Sequence, residues 1–201
     1  IIHIEILSKI LFNNYHIILL VFSGYLFLFI LYLFLIYLSG YRDFRSIIYN
    51  ILPPVMIGGP AMSSSLAIPL NVESVEKTTK DKVYSNFIIP ILTNSHMTGC
   101  IVIIPIINMC VLLLFGCDVP TYDVILVFAF YGAIYKFSSA GVPAGGLIIL
   151  YPLLINIFGY SSEMLVVITS IYVLLDIVAT TGSIIFNNLL SIVLYRVYNK
   201  N

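Results

Sequence analysis

Asp176 stands in the apolar run "IYVLLDIVATTG" (171–182), with Thr180 one helical turn further on. A carboxylate in the middle of hydrocarbon costs at least about 2.5–3.5 kcal/mol unless it is neutralised. Either it is paired structurally or protonated, or it is a functional group, the default for an ionisable residue at membrane depth. Two further stretches could complement it. "SSSLAIPL" (63–70) and "SSAGVPAGG" (138–146) interrupt otherwise greasy sequence with turn-forming residues. A helix that starts at such a tip offers unpaired N–H groups and a positive dipole end to an anion. The bland alternative is a polar turn, which the presence of two matching tips argues against. A third interruption, "TNSHMTGC" (93–100), contains His96, which titrates near neutral pH or sits satisfied in the interior. No nucleophile–base pair, phosphate loop or metal-ligand spacing occurs, so the expectation is a protein that is not an enzyme and has no cofactor.

The elements that would position these residues are membrane helices. The 201 residues are 61% hydrophobic and 9% charged, with a mean hydropathy of +1.09. A soluble domain carries about 25% charged residues. Residues 16–40 run without a fixed charge and exceed the ~30 Å hydrocarbon core. Net charge is zero, which gives no sign of a nucleic-acid partner. The three cysteines, Cys100, Cys110 and Cys117, lie in or beside apolar segments and read as buried small side chains. The start "IIHIEILSK" has no signal-peptide pattern and no initiator methionine, so the chain reads as a piece of something longer.

The runs that flank "SSAGVPAGG" are short. Fourteen helical residues before it reach only about 21 Å and twelve after it about 18 Å, so neither crosses the bilayer. Two such limbs enter and return on one side, with a tip that must be buried in protein or line a cavity. The expected layout is a helix at 16–40, a hairpin at 43–80, a broken helix at 84–116, a second hairpin at 121–158 and a broken helix at 160–197. Its breaks are "TNSHMTGC" and "ATTGS" (179–183). Residues 1–15 would be a remnant of scaffold or linker. With this layout Arg42, Arg45, Lys77, Lys80, Lys82, Arg196 and Lys200 share one face, the cytoplasmic one by the positive-inside rule. Asp118, Asp123 and Glu163 fall opposite, and Lys9 is the exception. "SSLAIP" (64–69) and "SSAGVP" (138–143) share a pattern and belong to units of opposite orientation. Inverted repeats with discontinuous helices point to the binding site of a secondary transporter. The fold class is therefore an all-α membrane protein with three transmembrane helices and two re-entrant hairpins in inverted repeat.

"SSSLAIPL", "AGVPAGG" and the breaks at corresponding places together resemble the dicarboxylate/amino-acid:cation symporter family, from about residue 16 to the C-terminus. The resemblance is to the C-terminal transport core of a glutamate-symporter-like fold. It implies a symporter that holds an amino acid or dicarboxylate between two hairpin tips and is driven by a cation gradient, Na+ or H+. It implies that Asp176 receives the substrate ammonium with Thr180 beside it, and that Ser64 and Ser65 meet the carboxylate. Val142 and Gly146 would add main-chain contacts, and Cys100 and Ser183 would complete the substrate set. The cation set, or its degenerate remnant, would be Leu92, Asn94, His96, Thr98, Lys136, Phe137, Ser139, Ser183 and Asn187. Other implied partners are membrane lipid and, with a full scaffold, two further copies in a homotrimer. The implied location is the plasma or inner membrane, multi-pass, with a cytoplasmic C-terminus.

Several positions depart from the family pattern. The family's Asn-Met-Asp-Gly-Thr becomes His96-Met97-Thr98-Gly99-Cys100, and a later asparagine and aspartate become Ser183 and Asn187. A hard cation wants carboxylate and carbonyl oxygens, and both carboxylates are gone. Where members that take acidic substrates carry an arginine, this chain has Ala179 and Met62, which favours a neutral amino acid. Lys136 either occupies a vacated cation position near Asp176 or snorkels to the interface. The rival to a working carrier is a truncated or degenerate member without independent transport, or an accessory membrane subunit. A channel is the weaker third option, since no ring of charges is present.

Overall fold

The computed structural model describes residues 15–136 and 145–199, and every element among them is an α-helix. They are α1 (Tyr15–Leu38), α2 (Phe44–Gly58), α3 (Ile68–Thr79), α4 (Lys82–Ser95), α5 (Thr98–Leu114), α6 (Tyr122–Lys136), α7 (Gly145–Ile148), α8 (Tyr151–Phe158) and α9 (Ser162–Tyr198). Three segments are long and apolar enough to cross a membrane: Ile18–Leu38, the α4–α5 stretch Lys82–Leu114, and α9. Side chains begin several of these helices. Asp43 accepts from the Ser46 N–H at 3.1 Å, Asp81 from Tyr84 at 2.9 Å, and Ser161 from Met164 at 3.3 Å. Each satisfies an orphan donor of a first turn.

At the centre lies α9, and α1, α2, α3, α4 and α5 all pack on it. One apolar cluster joins Val21 of α1, Ile103 and Ile107 of α5, Leu154 of α8 and Ile168 of α9. A second joins Ile36 of α1, Ile47 and Ile51 of α2, and Phe186, Leu189 and Ile192 of α9. By contrast, α1 exposes Leu19, Phe22, Leu26, Phe27 and Ile30 on its outer side, an apolar surface suited to lipid.

The 37 residues of α9 form one helix, about 55 Å long at 1.5 Å per residue. The expected break at "ATTGS" is absent, and the reason is steric. This stretch is where other elements come closest. A Cβ at Gly99 would overlap the Ala179 carbonyl, and one at Gly58 would sit 2.5 Å from Ile184 Cδ1. A Cβ at Gly59 would lie 2.5 Å from Thr181 Oγ1, and one at Gly182 2.5 Å from Tyr25 Cε1. Small residues here permit backbone approach between membrane helices, without proline to interrupt the ladder. The α4–α5 segment does break. His96 and Met97 leave helical geometry, with ψ of 72° and 52°.

The charged segment 72–82, most of it within the expected hairpin, is largely the second half of α3. It turns Asn71, Ser74, Val75, Thr78 and Thr79 inward, while Glu73 and Lys77 pair outside at 2.7 Å. Between α2 and α3 the tip, residues 59–67, packs beside the middle of α9 through Gly58 and Gly59.

Candidate functional site

Four expected site residues, Asp176, Thr180, Ser183 and Asn187, recur at intervals of four, three and four along α9. That spacing puts them on one face, and all four are buried. Asp176 is 5% exposed and is the only buried acidic side chain among the described residues.

The stripe faces the break between α4 and α5, and the two run antiparallel. Asn187 Oδ1 lies 2.9 Å from His96 Nδ1. Ser183 Oγ accepts the Gly99 N–H at 3.1 Å, an amide that the start of α5 would otherwise leave unpaired. Nearest Asp176, Cys100 Sγ lies 3.3 Å from the hydroxyl of Tyr172, one turn before Asp176 on α9.

The first helix closes the break from the other side. Tyr25 donates to the Gly99 carbonyl at 2.7 Å, and the Tyr32 hydroxyl is 2.9 Å from His96 Nε2. Thr98, itself buried, places its hydroxyl 2.7 Å from the same nitrogen. Tyr25 and Tyr32 also flank Phe186 of α9, with ring centroids 5.9 and 5.6 Å away.

His96, Thr98, Cys100, Asp176, Thr180, Ser183 and Asn187 are thus gathered at or opposite the break. Leu92 is buried, and its carbonyl accepts the His96 N–H at 2.7 Å. Asn94 is exposed, a rotation of about 100° from its buried neighbour Thr93. Ser64 and Ser65 are half-buried in the first tip, where their carbonyls accept from Ala67 and Ile68, both at 3.2 Å. Gly146 is buried in α7, and Lys136 ends α6. Phe137, Ser139 and Val142 lie outside the described residues, as do most of "SSAGVPAGG" and residues 1–14.

Tyr25, Tyr32 and Tyr172 belong to the site, and sequence reasoning did not single them out. A signal existed. Tyr25 and Tyr32 are two turns apart, on one face of an apolar helix, and Tyr172 is one turn before Asp176.

Long apolar helices packed around an interior polar stripe define an integral membrane protein with a buried polar site. Its family follows from comparison with known proteins. Residues 2–197 match the Sodium:dicarboxylate symporter family, and the chain belongs to that family of transporters. The chain is also similar to the serine/threonine transporter SstT of Acinetobacter baylyi, at 25% identity over 126 residues. That match covers 63% of this chain and 31% of the relative, so the chain spans about a third of that protein's length. No solved structure matches the chain significantly.

Proposed function

We propose that the chain is the transport core of a secondary carrier that couples movement of a small amino acid to a cation gradient. The observation that supports this most is the burial of Asp176 on one α9 face with Thr180, opposite a helix break. An ammonium group would meet the desolvated carboxylate, with the Thr180 hydroxyl as neighbour. The substrate carboxylate would meet the first tip, where Ser64 and Ser65 precede the start of α3. Gly146 and the second tip would close over the substrate as the outer gate.

A neutral substrate fits better than a dicarboxylate. Ala179 is fully buried and pressed against Gly99, which leaves no room there for an arginine that could pair with a second carboxylate. The similarity to a serine/threonine transporter points the same way. Na+ or H+ is the coupling ion, the C-terminus is cytoplasmic, and three copies assemble when the scaffold helices are present. A degenerate member without independent transport is the second reading, favoured by a helix break whose polar side chains include no carboxylate.

Uptake of labelled serine, alanine and glutamate into proteoliposomes, with and without a sodium gradient, tests the carrier. Accumulation of serine or alanine in preference to glutamate is expected. No accumulation of any of the three contradicts it and supports the degenerate reading.

A further inference from the structure

The family's name implies sodium, and the break between α4 and α5 is where irregular backbone could offer it oxygens. The residues present do not fit that ion. Na+ is a hard cation that needs several convergent oxygens, preferably with carboxylate among them. Here the centre is a nitrogen ring. Nδ1 of His96 faces Asn187 Oδ1 at 2.9 Å, Nε2 faces the Tyr32 hydroxyl at 2.9 Å, and the Thr98 hydroxyl lies 2.7 Å from Nε2 and 3.1 Å from Nδ1. Several of the surrounding oxygens already accept a hydrogen bond. The Leu92 carbonyl accepts from His96, the Met97 carbonyl from Cys100 and Ile101, the Gly99 carbonyl from Tyr25, and Ser183 Oγ from Gly99.

We propose that the α4–α5 break holds no Na+ and is closed instead by the His96 imidazole, which locks α1 and α9 to the break. With the Asn187 amide oxygen as the acceptor, the proposed tautomer has Nδ1 protonated and Nε2 accepting from the Tyr32 hydroxyl. This neutral tautomer satisfies both ring nitrogens. The imidazole then cross-links Tyr32 of α1, the break itself and Asn187 of α9, residues 64 and 91 positions from His96 in sequence. A bound ion would have to displace the ring from both partners. The proposal rests on the carrier reading for its importance, since it assigns any coupling ion to another place.

The test uses the full chain labelled with 15N-histidine in lipid nanodiscs at neutral pH. His96 is assigned by the resonances missing in His96→Gln. The expected spectrum has Nδ1 protonated and Nε2 as an acceptor, with neither resonance moved when sodium chloride replaces choline chloride at equal ionic strength. A saturable shift given by sodium and not by choline overturns the proposal. So does an Nδ1 that carries no proton. Serine binding measured on the same sample keeps the carrier reading separate. Sodium-dependent binding with unmoved His96 signals supports the lock and places the ion elsewhere. Unmoved signals without serine binding support the lock while removing the carrier.

Discussion

A methyl group added at Gly99 has nowhere to go. Its position would overlap the Ala179 carbonyl, and Ser183 Oγ stands 2.7 Å away. Backbone cannot yield as a flexible side chain can, so Gly99→Ala is expected to cost about 1–3 kcal/mol through overpacking. The measurement is the thermal midpoint of the purified protein in detergent, which should fall. Ser183→Ala strands the buried Gly99 N–H and should itself cost about 1–3 kcal/mol. A Gly99→Ala midpoint no lower than that of the parent would mean that close approach is not what matters at this crossing. Part of this was legible in the sequence. Asp176, Thr180, Ser183 and Asn187 share a helical face by spacing alone, whereas the partners of His96 come from helices far along the chain. Local patterns carry no record of such long-range contacts, so Tyr32, 64 positions from His96, is not legible as its partner.

Among the elements, α9 departs most from what its sequence suggests. "ATTGS" looks like a polar interruption, because serine, threonine and glycine favour turns in water. Inside a packed bundle the same small side chains let Tyr25 and the Gly58, Gly59 and Gly99 backbones come close while the helix runs on. The break at His96 was legible for a better reason, since it follows a polar run within an otherwise apolar span. One turn beyond "ATTGS", α9 is tied to α3. Asn188 Nδ2 donates to Asn71 Oδ1 and Ser74 Oγ, both at 2.8 Å, and all three residues are buried. Removing the donor strands two buried acceptors, so Asn188→Ala should lower stability by about 1–3 kcal/mol. Replacing all three polar groups by apolar ones should recover most of that loss, because the stranded acceptors go with the donor. A triple variant no more stable than Asn188→Ala would show that the hydrogen bonds are not the source of the effect.

At the level of the whole molecule, composition already required a membrane protein, and the interrupted apolar runs pointed to the family that residues 2–197 match. The orientation in the bilayer makes its own prediction. Lys80 and Glu163, both exposed, belong to opposite faces if the basic clusters are cytoplasmic. With Cys117→Ser to reduce background, Glu163→Cys should react with an impermeant maleimide on intact cells, and Lys80→Cys only after permeabilisation. Labelling of Lys80→Cys on intact cells would contradict the proposed arrangement. The proposed function depends most on one pairing, that of the buried Asp176 carboxylate with a substrate ammonium. Equilibrium binding of tritiated serine to the purified chain, compared with Asp176→Asn, tests it most directly. The folded variant should bind at least about tenfold more weakly, the equivalent of 1.4 kcal/mol. Equal affinity in the two proteins would contradict a role for Asp176 as the amino-group ligand.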